Sequence, residues 1–522
     1  MISLCLVGGD AVKKIKIKIN YKGKIHNIET VRGKLLRDVL EAEGISYLFP
    51  CGGNGRCGKC KVRFVTGAPR LTSADSTYIS EKELSDGYRL LCRCVLDRDC
   101  EVNVPGGVDE ESIVAQNVDT GVFSAAGGKN KYGIAVDIGT TTIAAALLGI
   151  AGNGEVTVIK TGSTINHQRQ YGDDVISRIA YASDEAGLKK LNEIVTADVK
   201  ELVNELRKDI DQNVDLLVIA GNTTMLHIFR NISVESLGRY PYKTKNLEIE
   251  QCDFYGIKTV LMPGFTAFVG ADILSGVYYT ELIKKGEKRL LLDLGTNGEM
   301  AYYDGSKLKI CSTAAGPVFE GGTIECGVAS VPGAISHIKI SDDLKTSYET
   351  IGDKAPIGLC GTGVMEAVAE LVRVGVISSD GLLSDEFFED GFSFTKDGKV
   401  RLTQGDIRNI QLAKAAVNSG IRQLLDGEVP DKVFISGGFG TNIDYEAITP
   451  LKMFPGSIRG NCEGVGNTSL KGALKFLSAA LYGEKNEAEE TALLTEIKDS
   501  ASELILANKD DFDDTFVEAM NF

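Results

Sequence analysis

The sequence predicts two unlike parts in one chain. A small α+β domain is built around a four-cysteine loop, and a larger, internally duplicated α/β domain is built around two matching strand–turn–strand hairpins. Three observations carry this. Cys51, Cys57 and Cys60 lie in CGGNGRCGKC and Cys92 follows in GYRLLCRC, a C-x5-C-x2-C spacing with a distant fourth thiol. GIAVDIGTTTIAAAL (133–147) and LLLDLGTNGEMA (290–301) each run an apolar strand into Asp, turn at glycine, present hydroxyls and return, about 155 residues apart. KVFISGGFG (432–440) runs a third apolar strand into Gly437-Gly438-x-Gly440.

The first domain spans 12–105. Residues 14–21 (KIKIKINY) alternate polar and apolar, as a half-buried strand requires. Lys22-Gly23 turns the chain into a second strand ending near Val31. Residues 35–44 read as a short helix closed by Gly44. The cysteine loop follows, then a strand at 61–65, a helical turn opened by Ser80 and a last strand at 101–104. This is the element order of the β-grasp ferredoxins. Thiolates are the usual ligands of iron–sulfur clusters, and three from one loop plus one from afar resembles the pattern of single-cluster 2Fe–2S ferredoxins, in its x5 spacing the adrenodoxin branch. Gly52, Gly53, Gly55 and Gly58 let the backbone wrap a cluster and aim N–H groups at its sulfurs. A zinc site would more often pair two C-x2-C motifs, and only one is present here. Cys92 is the best fourth ligand, with Cys94 and Cys100 close enough in sequence to compete.

Residues 106–131 are rich in Gly, Asp and Ser without periodicity and read as a linker. The second domain is expected over 132–522. In each hairpin glycine and hydroxyl residues suit close approach to phosphate, and Asp137 and Asp293 suit a hydrated magnesium ion. One such hairpin is weak evidence; two in matching contexts imply a duplication. GVGNTSLKGA (464–473) reads as the start of a helix after the third strand. Residues 484–518 carry twelve acids against three lysines and suit a disordered tail, but Leu493, Leu494, Ile497 and the apolar 504–506 argue that it docks.

On these residues, 132–480 resembles the actin, sugar-kinase and heat-shock-chaperone ATPases, a duplicated ribonuclease-H-like fold that clasps ATP between two phosphate hairpins and an adenosine loop. Joined to the four-cysteine domain, the whole chain resembles the reductive activators of corrinoid proteins. NHQRQYGDDVISRI (166–179), GNTTMLH (221–227), AAGPVFEGG (314–322), CGTGVMEAVAEL (360–371) and the pattern of the tail around 501–522 resemble that family at family-typical positions. Larger members carry an extra small domain near 106–131, for which this chain has no room.

The resemblance implies ATP-dependent, one-electron reduction of a partner's cobalt(II) to cobalt(I) through a 2Fe–2S cluster. Plant-type centres lie at roughly −400 mV, too weak to drive that step comfortably, so ATP would bias it. Asp137 and Asp293 would position Mg2+, mostly through water. Thr140, Thr141, Thr142, Thr296 and Asn297 would contact the β- and γ-phosphates, with Gly139, Gly295 and Gly298 allowing close approach. Glu320 and Gly321 would touch phosphate, and Gly437, Gly438 and Gly440 would face adenosine. Asp272, in GADILSGVYY, has two readings: it orients the attacking water, or it is an acid complementing a helix N-terminus. The implied partners are a corrinoid protein and a low-potential electron donor protein or reductase, with a homodimer open. The rival readings are a redox-gated small-molecule kinase, an activator of another low-potential metalloenzyme such as a radical dehydratase, and a redox sensor.

Composition narrows the field. A net charge of −15 argues against nucleic acid and anionic membranes as partners. No apolar run reaches the roughly 18 residues of a membrane span, and residues 2–7 (ISLCLV) are too short for a signal segment, reading instead as a disordered start or a strand. Twelve cysteines without a disulfide framework suit a reduced cytoplasm. The four histidines, His26, His167, His227 and His337, show no catalytic-zinc spacing.

Overall fold

The computed structural model describes residues 13–45, 47, 49, 51, 53–55, 58–105, 130–208, 210, 212–458 and 460–522. The expected ligand Cys57, Gly52, residues 2–7 and nearly all of the expected linker lie outside this set. The chain divides into two compact units, Met1–Glu110 with His167–Gly187, and Glu111–Asn166 with Leu188–Phe522.

In the first unit β1 (Lys14–Tyr21) pairs antiparallel with β2 (Lys24–Val31) through a turn in which Lys22 and Gly23 both have positive φ. Alternation along β1 sends Ile15, Ile17 and Ile19 into the core, each burial stabilising by about 1.5–3 kcal/mol. They meet Leu36, Val39 and Leu40 of α1 (Leu36–Ala42). β3 (Lys61–Thr66), β4 (Tyr88–Leu90) and β5 (Cys100–Val104) complete a five-stranded sheet of order β2-β1-β5-β3-β4. Between β3 and β4 lie α2 (Ser73–Tyr78) and α3 (Glu81–Ser85), each opened by a capping box, Thr72 with Asp75 and Ser80 with Glu83. Buried Asp75 also accepts the Leu90 N–H at 2.8 Å, which ties α2 to β4. The same unit includes α4 (Val175–Tyr181), capped by Asp174, with the buried Arg178 donating to Gly172 O and Gln168 Oε1.

The second unit contains two six-stranded sheets that share a plan over five strands and place the sixth at opposite edges. In one, β6 (Lys131–Ile138), β7 (Thr142–Ile150) and β8 (Val156–Ile165) form an antiparallel meander. β9 (Leu216–Gly221) lies parallel on the other side of β6, then β11 (Ile257–Leu261) parallel to β9, with β10 (Glu250–Phe254) on the edge. In the other, β12 (Arg289–Leu294), β13 (Gly298–Tyr303) and β14 (Leu308–Thr313) repeat the meander. A small three-stranded sheet of β15 (Ala334–Ile340), β16 (Thr346–Thr350) and β17 (Gly358–Leu359) and the pair β18 (Phe392–Ser393) and β19 (Arg401–Leu402) intervene. β20 (Lys432–Ser436) and β21 (Cys462–Gly466) then add in parallel beside β12. The duplication read from the two hairpins therefore extends to five strands of each sheet.

Helices α5 (Glu185–Arg207), α6 (Thr223–Phe229) and α7 (Ala271–Tyr279) accompany the first sheet. α8 (Gly361–Arg373), α9 (Gln404–Leu425), α10 (Gly437–Asn442) and α11 (Thr468–Tyr482) accompany the second. α7 packs on α11 at very short range: a Cβ on Gly472 would lie 2.2 Å from Ser275 O, so only glycine permits the crossing. This contact brings the first turns of α7 and α11 to the ends of the two hairpins.

The acidic tail docks. α12 (Glu484–Ser500) buries Leu494 and Ile497, β22 (Ala501–Glu503) joins the second sheet beside β14, and α13 (Phe512–Ala519) packs on α9. The fully buried Lys414 of α9 donates to Ala519 O and Asn521 O at 2.7 and 2.6 Å. Among the described residues no helix is long and apolar enough to cross a membrane.

Candidate functional site

In the first unit the cysteine loop joins α1 to β3, and the turn after β4 faces it. Leu91 N donates to Cys60 O at 2.7 Å, which sets the Cys92 turn beside the Cys60 end of the loop. A hydrogen bond with Cys60 draws the Cys92 thiol below its usual range, against burial and the nearby charge of Cys51. Arg93 and the Gly55 N–H act in the same direction as Cys60. Cys51, Cys60 and Cys92 thus converge, with the partly buried Tyr47 beside Cys60 and Cys92. Gly55 holds φ +68°, and a Cβ there would lie 2.5 Å from Arg93 Nε, so the backbone can turn toward Cys92 only as glycine. The competing thiols point elsewhere. Cys94 donates to Leu90 O at 3.4 Å and burial pushes it well up; burial pushes Cys100, on β5, to about 11. Three soft thiols, one with an N–H aimed at it, fit a thiolate-held iron–sulfur group.

In the second unit the hairpins meet. Asp137, at the end of β6, accepts from Ser469 Oγ at 2.7 Å and Asn467 Nδ2 at 2.8 Å, both at the start of α11. Asp293, at the end of β12, accepts from Ser436 Oγ at 2.9 Å, and that hydroxyl also bonds Thr468 Oγ1 at 2.8 Å. Glu320 spans the two loops, accepting from Thr141 Oγ1 at 2.8 Å and Thr296 Oγ1 at 3.4 Å. Thr140 Oγ1 accepts from Asn222 Nδ2 at 3.1 Å. Asn166 braces the first hairpin, donating to Gly139 O and Thr141 O at 2.8 and 3.0 Å.

The remaining expected residues fall into two groups. A Cβ on Gly295 would make only ordinary contact with Glu320, at 3.6 Å, and Asp293, at 4.0 Å, and Gly437, at φ +86°, also faces Asp293. Gly139, Gly298, Gly321 and Gly440 are tight packing positions, where a Cβ would meet Thr142 O, Thr313 Oγ1, Val328 O and Ile435 respectively. Thr142 opens β7, Asn297 donates to Glu299 Oε1 at 3.1 Å, and Gly438 O accepts from Asn442 Nδ2.

Electrostatics single out the carboxylates. Burial pushes the Asp137 carboxyl up, opposed by Ser469 and Asn467. Burial, then the charges of Asp293 and Asp137, push Asp272 to about 7. Asp293 is pushed to about 6 by burial, with Asp137 and Glu320 adding to it. Glu299, opposite Asp293 on β13, lies well above the usual carboxylate range through burial, Asp272 and Asp293. Among the described residues no three His, Cys, Asp or Glu side chains surround a single point as direct ligands of one ion. A hydrated divalent cation, held through water, fits such a set: it relieves the mutual repulsion without requiring direct ligation. Asp272 lies in the first turn of α7 and accepts from Ile273 N, so it meets the description of a helix N-terminal acid while also lying among the other carboxylates.

Sequence reading missed Glu299, Asn222, Ser436, Asn467 and Ser469. The signal for Glu299 was present, since it is the second residue after the Thr-Asn turn of the second hairpin. The others come from distant strand ends that only the fold brings in.

These shifts give a signed expectation. A carboxyl whose folded pKa is raised contributes stability that is full below the unfolded pKa and lost as pH rises through the folded value. The ligand-free protein should therefore lose thermal stability between about pH 4 and about pH 7. Scanning fluorimetry of wild type beside Asp272→Asn tests this; identical pH slopes would contradict it.

Among known proteins, a family profile described as the C-terminal domain of RACo, the ASKHA domain, matches residues 287–522. One described as the RACo middle region matches 132–285, and a 2Fe-2S iron-sulfur cluster binding domain matches 19–97. The "Corrinoid activation enzyme RamQ" of Eubacterium limosum is 31% identical over 66% of this chain; the match spans 64% of that relative, a little under two thirds. The "[Co(II) methylated amine-specific corrinoid protein] reductase" of Methanosarcina barkeri is 25% identical over 75% of this chain and 77% of its own length. A solved structure titled "Reductive activator for corrinoid,iron-sulfur protein" superposes with a TM-score of 0.66 at 28% identity, covering 97% of this chain and 98% of the other.

Proposed function

The chain belongs to the RACo family, the reductive activators of corrinoid proteins, and from that premise we propose that it reduces a protein-bound corrinoid from cobalt(II) to cobalt(I) in a reaction coupled to ATP hydrolysis. The observation that carries this reading is the pairing, in one chain, of a converging thiol set with two facing phosphate-type hairpins linked through Glu320. A 2Fe–2S group, when bound, supplies a one-electron carrier.

Cys51, Cys57, Cys60 and Cys92 hold that group, and the Gly55 N–H tempers the charge on the Cys92 sulfur. Asp137 and Asp293 orient Mg2+ through water, each kept in place by hydroxyl or amide donors from α11 and the end of β20. Thr140, Thr141, Thr142, Thr296 and Asn297 line the phosphates, Gly295 allows their close approach, Glu320 touches them, and Asp272 orients the attacking water. Gly437 and Gly438 face the nucleoside, while Gly139, Gly298, Gly321 and Gly440 shape the loops by their tight packing. The net reaction delivers one electron, from a low-potential donor protein or reductase, to the partner's cobalt(II); water takes the terminal phosphoryl group of ATP, leaving ADP and phosphate. Hydrolysis drives the electron only if nucleotide states differ in affinity for the two redox states of the partner. The division into a 12–105 cluster domain, a 106–131 linker and a 132–522 ATPase domain, a cytoplasmic location and an open possibility of dimerisation belong to the same reading.

The decisive experiment mixes the reduced protein with a cobalt(II) corrinoid protein, with and without Mg-ATP, and follows the corrinoid absorption spectrum. Cobalt(I) should form with ATP and not without it. Equal reduction without nucleotide would refute coupling. Phosphate transferred to a small molecule would replace the reading by that of a kinase.

A further inference from the structure

One surface of the second unit stands out. Tyr240 is 86% exposed, Tyr242 43% and Phe268 37%. Their rings touch edge to face: Tyr240 and Tyr242 centroids lie 6.0 Å apart, Tyr242 and Phe268 5.0 Å apart. Single exposed rings are ordinary, but three linked through Tyr242 form an apolar patch whose burial by a partner is favourable. The loop that presents them is held in shape. Tyr242 N donates to Arg239 O at 2.7 Å and Ser236 Oγ to Lys243 O at 2.6 Å.

Charge says what the patch suits. Residues 238–246 (GRYPYKTKN) carry Arg239, Lys243 and Lys245 and no acid, within a chain of net charge −15. Arg239 is paired with Glu235, whereas Lys243 and Lys245 have no ion-pair partner among the described residues. Two lysines without ion-pair partners, in a loop that carries no acid, suit a partner whose facing rim carries carboxylates.

The patch also adjoins the nucleotide machinery. Phe268 N and Val269 N donate to Thr266 Oγ1, and Thr266 O accepts from Thr223 Oγ1 at 2.6 Å. A Cβ on Gly270 would lie 2.6 Å from Thr223 N and 2.7 Å from Asn222 Cα, so this loop is pressed against Asn222. Asn222 in turn donates to Thr140 of the first hairpin, and Asp272 follows Gly270 by two residues. Burying Phe268 therefore bears on a backbone in contact with both groups.

We propose that Tyr240, Tyr242 and Phe268, flanked by Lys243 and Lys245, form the docking surface for the corrinoid protein, which meets it with an apolar face bordered by carboxylates. The proposal rests on the functional reading above. It assigns the surface by which the partner is recognised and by which its arrival reaches the hairpins.

The test uses the full holoprotein and a cobalt(II) corrinoid protein that binds wild type, with affinity measured by biolayer interferometry and hydrolysis by phosphate release. Tyr240→Ala with Tyr242→Ala should weaken binding about tenfold or more and abolish partner-stimulated hydrolysis. Lys243→Glu with Lys245→Glu should weaken binding and flatten its salt dependence. Both pairs should keep the basal hydrolysis rate and the cluster spectrum, which shows that the variants are folded. Unchanged affinity and stimulation in the tyrosine pair would overturn the proposal. So would hydrogen exchange showing 238–246 protected in the free chain and unaltered by the partner. If wild type binds no corrinoid protein, the functional reading falls and takes this proposal with it. If wild type binds and reduces one, and the tyrosine pair does so equally well, only this proposal falls.

Discussion

Asp137→Asn and Asp293→Asn should each lower ATP hydrolysis by on the order of a hundredfold or more, while leaving the cluster's iron content and spectrum unchanged. The change removes one negative charge and keeps the shape. In Asp137→Asn the new amide would still meet Ser469 and Asn467 at about the same positions, so loss of activity would report lost charge rather than a collapsed loop. Stability should move the opposite way. Asp293 lies among Asp137, Asp272, Glu299 and Glu320 in a partly buried setting, and neutralising it relieves repulsion that the ligand-free protein bears. A variant that is thermally firmer yet inactive is the expected signature of a residue kept for chemistry at the expense of stability. Phosphate release with and without the partner measures the first effect, and scanning fluorimetry the second. If both variants hydrolyse ATP at the wild-type rate, these carboxylates do not hold the cation and the nucleotide site is misplaced.

The sequence showed the ends of strands better than it showed what gathers around them. Alternation in KIKIKINY and the Lys22-Gly23 turn were enough for the first hairpin, because a half-buried strand leaves a period-two trace. The two Asp-x-Gly-Thr turns were legible for a related reason: a strand that ends at a phosphate-type loop must switch abruptly from apolar residues to glycine and hydroxyls. α2 went unread since six residues, SADSTY, are too short to show helical periodicity; its real signal was Thr72 with Asp75, a capping box that binds locally. The supports of Asp137 were out of reach for another reason. Asn467 and Ser469 lie 330 and 332 residues away, and nothing in a linear pattern says that α11 starts beside β6. Gly472 and Ser275 set that meeting, through a helix crossing that becomes visible only once both helices are placed. The glycines after β20 mark the converse limit: Gly440 carries the same letter as Gly437, yet one packs on Ile435 and the other opens toward Asp293.

Cys92→Ala should leave the protein unable to hold a stable 2Fe–2S cluster, whereas Cys94→Ala should keep it at a small cost in stability, on the order of 1 kcal/mol. The two thiols are separated by one residue, and both are buried at 2–3% exposure, so exposure does not distinguish them. Direction does. Cys92 meets Cys60 and the Gly55 N–H, and its thiol is drawn down toward the ligating, deprotonated form. Cys94 turns back onto Leu90 O, and burial holds it protonated. Iron and sulfide analysis with EPR on anaerobically purified variants decides between them. Loss in Cys94→Ala with retention in Cys92→Ala would move the fourth ligand, and stoichiometric zinc in wild type would remove the cluster altogether. The same variant probes the coupling. Because the thiols and the hairpins belong to different compact units, Cys92→Ala should retain basal ATP hydrolysis and lose reduction of the partner. The Asp137 variant should show the mirror image, an intact cluster that no longer delivers an electron under ATP. Each half would then be necessary and neither sufficient, as required if hydrolysis biases the transfer instead of accompanying it. A cluster-free variant that still produced cobalt(I) with ATP would show that the electron takes another route.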